Sequence, residues 1–431
     1  MASNIIIKTT PATYSPVYNP IEICVFEDDA ASRNQVNYKY VITCTLATGE
    51  TDTWQVPLAP SDKLFYGWQD VSRFLEKFIK EKLTPVNLDS GFVAAQSTGI
   101  IEYTISIEPA WDDNGVFTIN PSPSVPAVTT SSLYAWGGSF DHHDWIDQLN
   151  DGSPYNTWIC NATNGANARF LTNNPYIQTR LTDLGRINIL TDDPANIDEL
   201  LIKTYDSSGT LINSFVVNNP LGGTPVGNRV LSIAVGAQSL NNINPIYIST
   251  GAQPIITSSV SYYTLQLDRT GAGGTSSELL TVHLQEDCRY ETYRLHFLNK
   301  YGSFDFYNFT SRNELKSSTT RKTYTRNETI IETDGIQYAN WNNGKSDYYV
   351  HNRDSIKLRS DYVTEDQYTW FKELVNSPQV FIEYSNFKGD KDYKPVYVTT
   401  TNWVEKKTSI DKLFKFELDV EFGHINQRQR R

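Results

Sequence analysis

The chain is poor in the residue patterns that announce chemistry. Its four cysteines, Cys24, Cys44, Cys160 and Cys288, stand far apart with no CxxC pair and no histidine at ligand spacing. That excludes a zinc knuckle or a dense disulfide framework, and reads as buried free thiols in a reducing compartment. No apolar run reaches membrane-spanning length, and residues 5–7 are followed at once by charge and proline, so neither a membrane span nor a secretory leader is expected. GxSxG, HExxH, a Walker loop, GxGxxG and an EF-hand loop are all missing, which removes the enzyme and calcium-sensor classes that those motifs define.

Positive charge is scarce in the first two thirds. Residues 1–117 hold 8 basic against 15 acidic side chains (net −7) and residues 118–285 hold 6 against 12 (net −6), whereas 286–431 hold 23 against 22 (net +1). The acidic part is a poor electrostatic match for nucleic acid, and no specific nucleic-acid binding is expected. What the chain has in quantity is aromatic surface, with 26 Tyr, 19 Phe and 9 Trp, residues that favour strands and interfaces.

At 431 residues two to three domains are expected. The stretch 290–309, YETYRLHFLNKYGSFDFYNF, organises the reading: Tyr293, Leu295 and Phe297 alternate with Arg294 and His296, Asn299 to Gly302 supply a turn, and Phe304 to Phe309 resume an extended run. This is a hairpin pattern. Before it, Ile21, Ile23 and Val25, then Tyr38, Tyr40 and Ile42, then Trp54 and Val56, and later Ile101, Tyr103, Ile105 and Ile107 predict strands. Between them Trp68, Val71, Leu75, Phe78 and Ile79 recur at helical spacing and predict a helix over about 68–83. The proline-rich 120–130 reads as a connector, beyond which short apolar runs at 187–190, 200–204, 211–217, 230–235, 262–267 and 279–284 are punctuated by turn residues. In the last third, Thr364 and Gln367 form a capping-box pattern before a helix over about 365–375, and Phe414, Phe416, Leu418, Val420 and Phe422 share one face of a closing strand. The expected fold is mainly β and multidomain: a β-rich domain with one helix at 1–117, a central jelly-roll-like β-sandwich at 118–285 and a β-rich domain with one helix at 286–431.

Candidate sites are few. Asp141-His142-His143-Asp144 is the one metal-like cluster, yet adjacent histidines on an extended chain point to opposite faces, so a polar loop is expected there, with no metal and no cofactor. Paired carboxylates at 28–29, 112–113 and 192–193 sit beside turn formers and are explained by turn bonding. No catalytic residue is assigned, and the chain is not expected to be an enzyme. The basic, hydroxyl-rich 311–326 offers Arg321, Lys322 and Arg326 for docking on an acidic neighbour, and the extended arm PATYSPVYNP offers Tyr14, Tyr18 and Pro20 for lying across an adjacent subunit. Trp111, Trp136, Trp145, Trp158, Trp341 and Trp403 are the tryptophans that would stack on sugars if the chain bound glycan.

The segments YSPVYNPIEICV, FLTNNP at 170–175, RLHFLNKYGSFDFYNF and the closing set VFIEY, PVYVTTTNWV and KLFKFELDVEF resemble those of β-rich tail and neck structural proteins of tailed bacteriophages infecting Bacteroidetes, crAss-like phages included. The resemblance implies a virion component assembled in the host cytoplasm, a ring, hub or adaptor whose partners are its own copies and other tail or portal proteins. Two further classes fit the residues: a glycan- or receptor-binding tail protein, and, less well, a tail-associated polysaccharide-degrading enzyme.

Overall fold

The computed structural model describes residues 5–60, 65–83, 91–96, 98–120, 127–152, 154–161, 168–193, 197–221, 229–269, 274–286, 289–325, 329–338, 344–385, 391–400, 413–424 and 427–430. The chain is mainly β, built from several sheets with a few short helices. It divides into two compact units: Met1–Asn173, Thr179–Leu284 and Asn299–Phe304 form the first, and Asn174–Gln178, Gln285–Leu298 and Asp305–Arg431 the second.

The first unit opens with a sandwich. A four-stranded sheet (Ile5–Thr9, Glu22–Glu27, Phe65–Asp70, Ala59–Pro60) faces a larger one whose main path is Tyr14–Pro16, Leu133–Trp136, Ile100–Asp113, Lys39–Leu46 and Thr51–Pro57. The alternation in sequence fixes which side chains meet: Ile23 and Val25 from one sheet and Tyr40, Ile42, Tyr103, Ile105 and Ile107 from the other are fully buried in one core. Each such side chain contributes about 1.5–3 kcal/mol over leaving it in water. Gly67 is required by this packing, since a Cβ there would stand 2.3 Å from the Tyr40 ring.

The six short apolar runs expected between 187 and 284 all form strands. Arg186–Thr191 and Val230–Ala234 pair in one sheet, while Leu280–Leu284, Tyr262–Arg269, Glu199–Tyr205 and Leu211–Asn218 follow one another in a second. The result is β-sandwich-like, with Ile187, Ile189, Leu231 and Ile233 buried from one sheet and Leu200, Ile202, Leu265 and Leu267 from the other. Tyr263 Oη donates to the Val235 carbonyl at 2.6 Å.

Three features differ from the sequence reading. The division at 117/118 is not how the sheets are cut: Leu133–Trp136 joins the N-terminal sheet beside Ile100–Asp113, and Val93–Ala95 pairs with Val230–Ala234 in the central one. The helix expected over 68–83 is one turn, Ser72–Leu75. Trp68 belongs to the preceding strand, and Asp70 Oδ1 stops that strand by accepting from Ile21 N and Ser72 N at 3.0 and 2.9 Å. Beyond Phe78, Ile79 and Glu81 are buried while Lys80 and Lys82 are exposed; KFIKEKL carries a period of two as well as the helical one, and Lys80 N bonds to Thr98 O at 2.9 Å instead of continuing the helix. Conversely, the Asp141–Asp144 cluster is not a loop: His142–Asn150 is a helix with Trp145 as its buried anchor.

The second unit is built on an eight-stranded sheet whose main path is Phe304–Phe309, Tyr293–Leu298, Val380–Ser385, Lys391–Val398, Glu417–Phe422, Lys345–Arg359, Glu314–Thr325, with Gln427–Arg430 also paired to Lys345–Arg359. The helix Glu365–Asn376 lays Tyr368, Trp370, Phe371 and Leu374 on the core with Leu295, Phe297, Tyr307, Phe309, Leu418 and Val420. Its N-terminus carries the expected capping box, Thr364 accepting from Gln367 N while Gln367 reaches back to the Thr364 amide. Thr364→Ala should therefore lower the unfolding free energy by about 1 kcal/mol. Chemical denaturation checks this, and a change below a few tenths would mean the cap is not holding the helix.

The turn of the organising hairpin is grouped with the first unit. Buried Asn299 accepts at Oδ1 from the amides of Tyr301 and Ser303, each at 3.0 Å, and donates from Nδ2 to the Leu171 carbonyl at 2.8 Å. Gly302 has φ +81°, and a Cβ there would meet the Gly137 carbonyl oxygen at 2.5 Å, so both conformation and space demand glycine.

Candidate interaction surface

The second unit's sheet is buried at the end formed by Phe304–Phe309 and Tyr293–Leu298, but its far end is a long exposed ribbon. Glu314–Thr325 and Lys345–Arg359 pair antiparallel along their length. Every residue of the first strand after Glu314 is exposed. The sequence explains both facts: Thr and Tyr suit extended backbone, while Lys, Ser and Arg spread over both faces leave no apolar face to bury. Near the core the faces diverge, with Ile356 and Leu358 entering the hydrophobic core while Lys357 and Arg359 point away. The pairing skips Tyr348, since Lys322 opposes Tyr349 and Thr323 opposes Asp347. The extra residue lies on the inner strand, and the outer strand stays regular.

Beyond the ribbon, Thr329–Glu332 and Gly335–Tyr338 form a separate two-stranded hairpin. Ile331 and Ile336 face each other across it at 81% and 63% exposure. A two-stranded hairpin with its apolar pair in water is marginal by itself, and such a surface marks a contact site.

The ribbon's arginines are paired within the chain. Arg321 meets Asp347 at 2.6 Å, Arg353 meets Glu421 at 2.5 Å, and Arg359 bridges Glu314 and Glu417 at 2.9 and 3.0 Å. Ser318, Thr320, His351, Arg353, Ser355 and Glu421 line a shallow depression of about 130 Å³. That is well below the roughly 300 Å³ at which small-molecule pockets begin, so the face suits contact better than substrate enclosure.

A second polar cluster lies inside the unit. Glu383 Oε2 stands 3.2 Å from His296 Nε2 and 3.5 Å from Arg294 Nε, and Oε1 stands 2.9 Å from Lys391 Nζ. Arg294 also donates to Asn308 Oδ1 at 2.8 Å and stacks over Phe306 at 4.2 Å. Burial alone would raise the Glu383 pKa, but the hydrogen bond with His296 and the charges of Arg294, His296 and Lys391 outweigh it and hold the carboxyl at about 2. Arg294 and His296 are each 2% exposed, which makes the cluster a buried ion network rather than an acid–base pair open to substrate.

The sequence-predicted residues are not brought together. Tyr14 is buried in its own chain, in the strand Tyr14–Pro16 that runs parallel to Leu133–Trp136, with its ring stacked on Tyr134 at 5.1 Å. The arm expected to cross a neighbour is thus a core strand at this point, because Tyr14, Ser15, Pro16 and Val17 are all buried. Burial pushes the Tyr14 phenol up to about 12 against the pull of Arg229. Tyr18 and Pro20 are exposed. Arg321 and Lys322 are exposed on the ribbon, though Arg321 is paired with Asp347 of its own chain; Arg326 lies outside the described residues. Trp111, Trp136, Trp145 and Trp158 are all under 10% exposed, so none offers a sugar-stacking face, and Trp341 and Trp403 lie outside the described residues. Cys44 and Cys160 are buried thiols pushed up to about 12 by desolvation. Among the described residues no group of His, Cys, Asp and Glu is placed to hold a metal ion, and no helix is long and apolar enough to cross a membrane. The apolar tip at Ile331 and Ile336 is the contact feature that residue reading missed.

No protein-family model matches the chain, and no curated protein matches it. Among solved structures, the chain is similar to the chicken CNTN1 FN1–FN3 domains at 8% identity, covering 82% of this chain and 91% of that one with a TM-score of 0.18. It is also similar to a mutant of Salmonella alpha-2-macroglobulin at 7% identity, covering 100% of this chain and 34% of that one with a TM-score of 0.16. Neither likeness is close enough to define the fold.

Proposed function

We propose that the chain is a structural virion protein of a tailed phage, part of the tail or neck as a ring, hub or adaptor, which assembles in the host cytoplasm with its own copies and with other tail or portal proteins. The observation that carries the assembly reading is the exposed ribbon with its apolar tip: backbone and isoleucine surface are extended into solvent with nothing in the described chain covering them. The sequence resemblance supplies the virion setting. Glycan binding is the weaker reading, because the four described candidate tryptophans are buried.

Light scattering and negative-stain imaging of the purified full chain test this. A discrete multimer is expected, and Ile331→Asp combined with Ile336→Asp should weaken it while the melting temperature stays put, since both side chains are exposed. Reversing Arg321, Lys322 and Arg326 to Glu should weaken assembly in the same way. A monodisperse monomer at every concentration would sink self-assembly as the function.

A further inference from the structure

We infer that two copies of this chain pair edge to edge through the strand Glu314–Thr325, antiparallel and about a two-fold axis at Thr320, so that the sheet of one second unit continues into that of the next. The inference rests on the assembly reading above and names its partner and register.

Among the described residues, this strand ends its sheet, with Lys345–Arg359 as its one partner. Twelve residues long, regular and without proline, it presents an unused row of backbone donors and acceptors about 40 Å long. The opposite edge of the sheet, Phe304–Phe309, is buried throughout, which leaves the Glu314–Thr325 side to be extended. Such an edge is a template for another strand, and the charges along it decide which strand fits.

Lys316, Arg321 and Lys322 are the positive charges of the strand and Glu314 its negative one. Two identical antiparallel neighbours are related by an axis perpendicular to the sheet, so residues sharing a face oppose one another and each register has one residue opposite itself. Centring on Thr319 sets Lys316 against Lys322, and centring on Arg321 or Lys322 sets that cation against its own copy. All three are disfavoured by like charges directly opposed. Centring on Ser318 sets Glu314 against Lys322, but Glu314 is already held by Arg359 at 2.9 Å and only nine residues overlap, 314 to 322. Centring on Thr320 overlaps eleven residues, 315 to 325. Thr320 then faces Thr320, Ser318 faces Lys322, Thr319 faces Arg321, and Lys316 lies against the ring of Tyr324, with no like charges opposed. The lysines that guard the edge against unselective pairing are the residues that leave this register open.

One paired edge falls short of the roughly 1,200 Å² that a stable free interface buries. The contact is therefore weak by itself and is most populated where other interfaces hold copies at high effective concentration. The experiment places single cysteines at Ser318, Thr319, Thr320 and Arg321 of the full chain and treats each with a short bismaleimide, which bridges either kind of cross-strand pair. Untreated-sequence protein under the same conditions reports background from the natural cysteines. Thr320→Cys should cross-link several-fold faster than Thr319→Cys or Arg321→Cys, and adding Lys316→Glu with Lys322→Glu to the Thr319→Cys chain should leave it slow, because Glu then opposes Glu. Equal rates at all four positions, or fastest trapping at Thr319, Arg321 or Ser318, would overturn the pairing as stated. Light scattering separates the two readings: a multimer without preferred trapping at Thr320 removes the edge contact alone, whereas preferred trapping in a chain that otherwise stays monomeric keeps the contact and removes the larger assembly.

Discussion

Phe371→Ala should cost the second unit about 3–5 kcal/mol of unfolding free energy, the range for removing a fully buried aromatic ring that its surroundings cannot refill. Phe371 is 0% exposed and sits where the helix meets the sheet. Its ring stacks on Phe416 at 4.5 Å and 14°, meets Tyr307 edge-on at 4.7 Å, and touches Trp370 and Phe309 at 5.4 and 6.3 Å. The strand Phe304–Phe309, the segment leading into Glu417–Phe422 and the helix itself lose contacts at once, so the site has no single element that can relax into the space. Phe371→Leu keeps much of the volume and forfeits mainly the ring pairs, worth about 0.5–1.5 kcal/mol each, and should lose distinctly less. Chemical denaturation followed by circular dichroism reads both. Equal losses for the two variants would mean that ring geometry rather than volume holds the helix, and a loss below about 1 kcal/mol for alanine would mean that this core does not.

That core was legible in the sequence because both partners announce themselves. Thr364 and Gln367 mark the helix start, and Phe414, Phe416, Leu418 and Val420 alternate so cleanly that their burial follows from the strand period alone. The organising hairpin was legible for the same reason. What its residues could not say is that Asn299 would reach the carbonyl of Leu171, since a side-chain bond between segments this far apart has no local signature. The helix His142–Asn150 was missed because only Trp145 is buried along it; with one anchor there is no apolar stripe to reveal a helical period. The stretch after Leu75 failed in the opposite way, carrying two periods, with tertiary contacts choosing the extended one.

The contact surface was half legible. A burial period exists only where one face is buried, and Glu314–Thr325 buries neither, so its strand character had to come from threonine and tyrosine propensity and its charge was easier to see than its backbone. The tip did carry a signal: Asp334-Gly335 between Ile330-Ile331 and Ile336 is a strong hairpin pattern, and Gly335 indeed takes φ +106°. Tyr14 misled because proline-flanked tyrosines suit an exposed arm and a core edge strand equally well, and only the pairing with Tyr134 decides between them.

Glu383→Gln should destabilise the second unit by about 3 kcal/mol at neutral pH, the lower end of what breaking a buried ion pair costs. Glutamine fits the space but leaves Arg294 and Lys391 without their anion, Arg294 being 2% exposed and retaining Asn308 as a partner. The pH dependence separates this from a packing effect. The folded carboxyl titrates at about 2 against an ordinary 4.5, so its depressed value contributes stability that is fully present above the unfolded pKa and is lost as pH falls through the folded one. A shift of this size corresponds to about 3 kcal/mol. The wild-type chain should therefore lose stability between about pH 4.5 and 2 by an amount that the Gln variant does not lose, and the two unfolding curves should converge at the acid end. Lys391→Met should cost less, because that ammonium is 30% exposed and water replaces part of its interaction. A difference between wild type and Glu383→Gln that stays constant from neutral pH down to 2 would show that the carboxylate's charge plays no part, and that the network is held by shape alone.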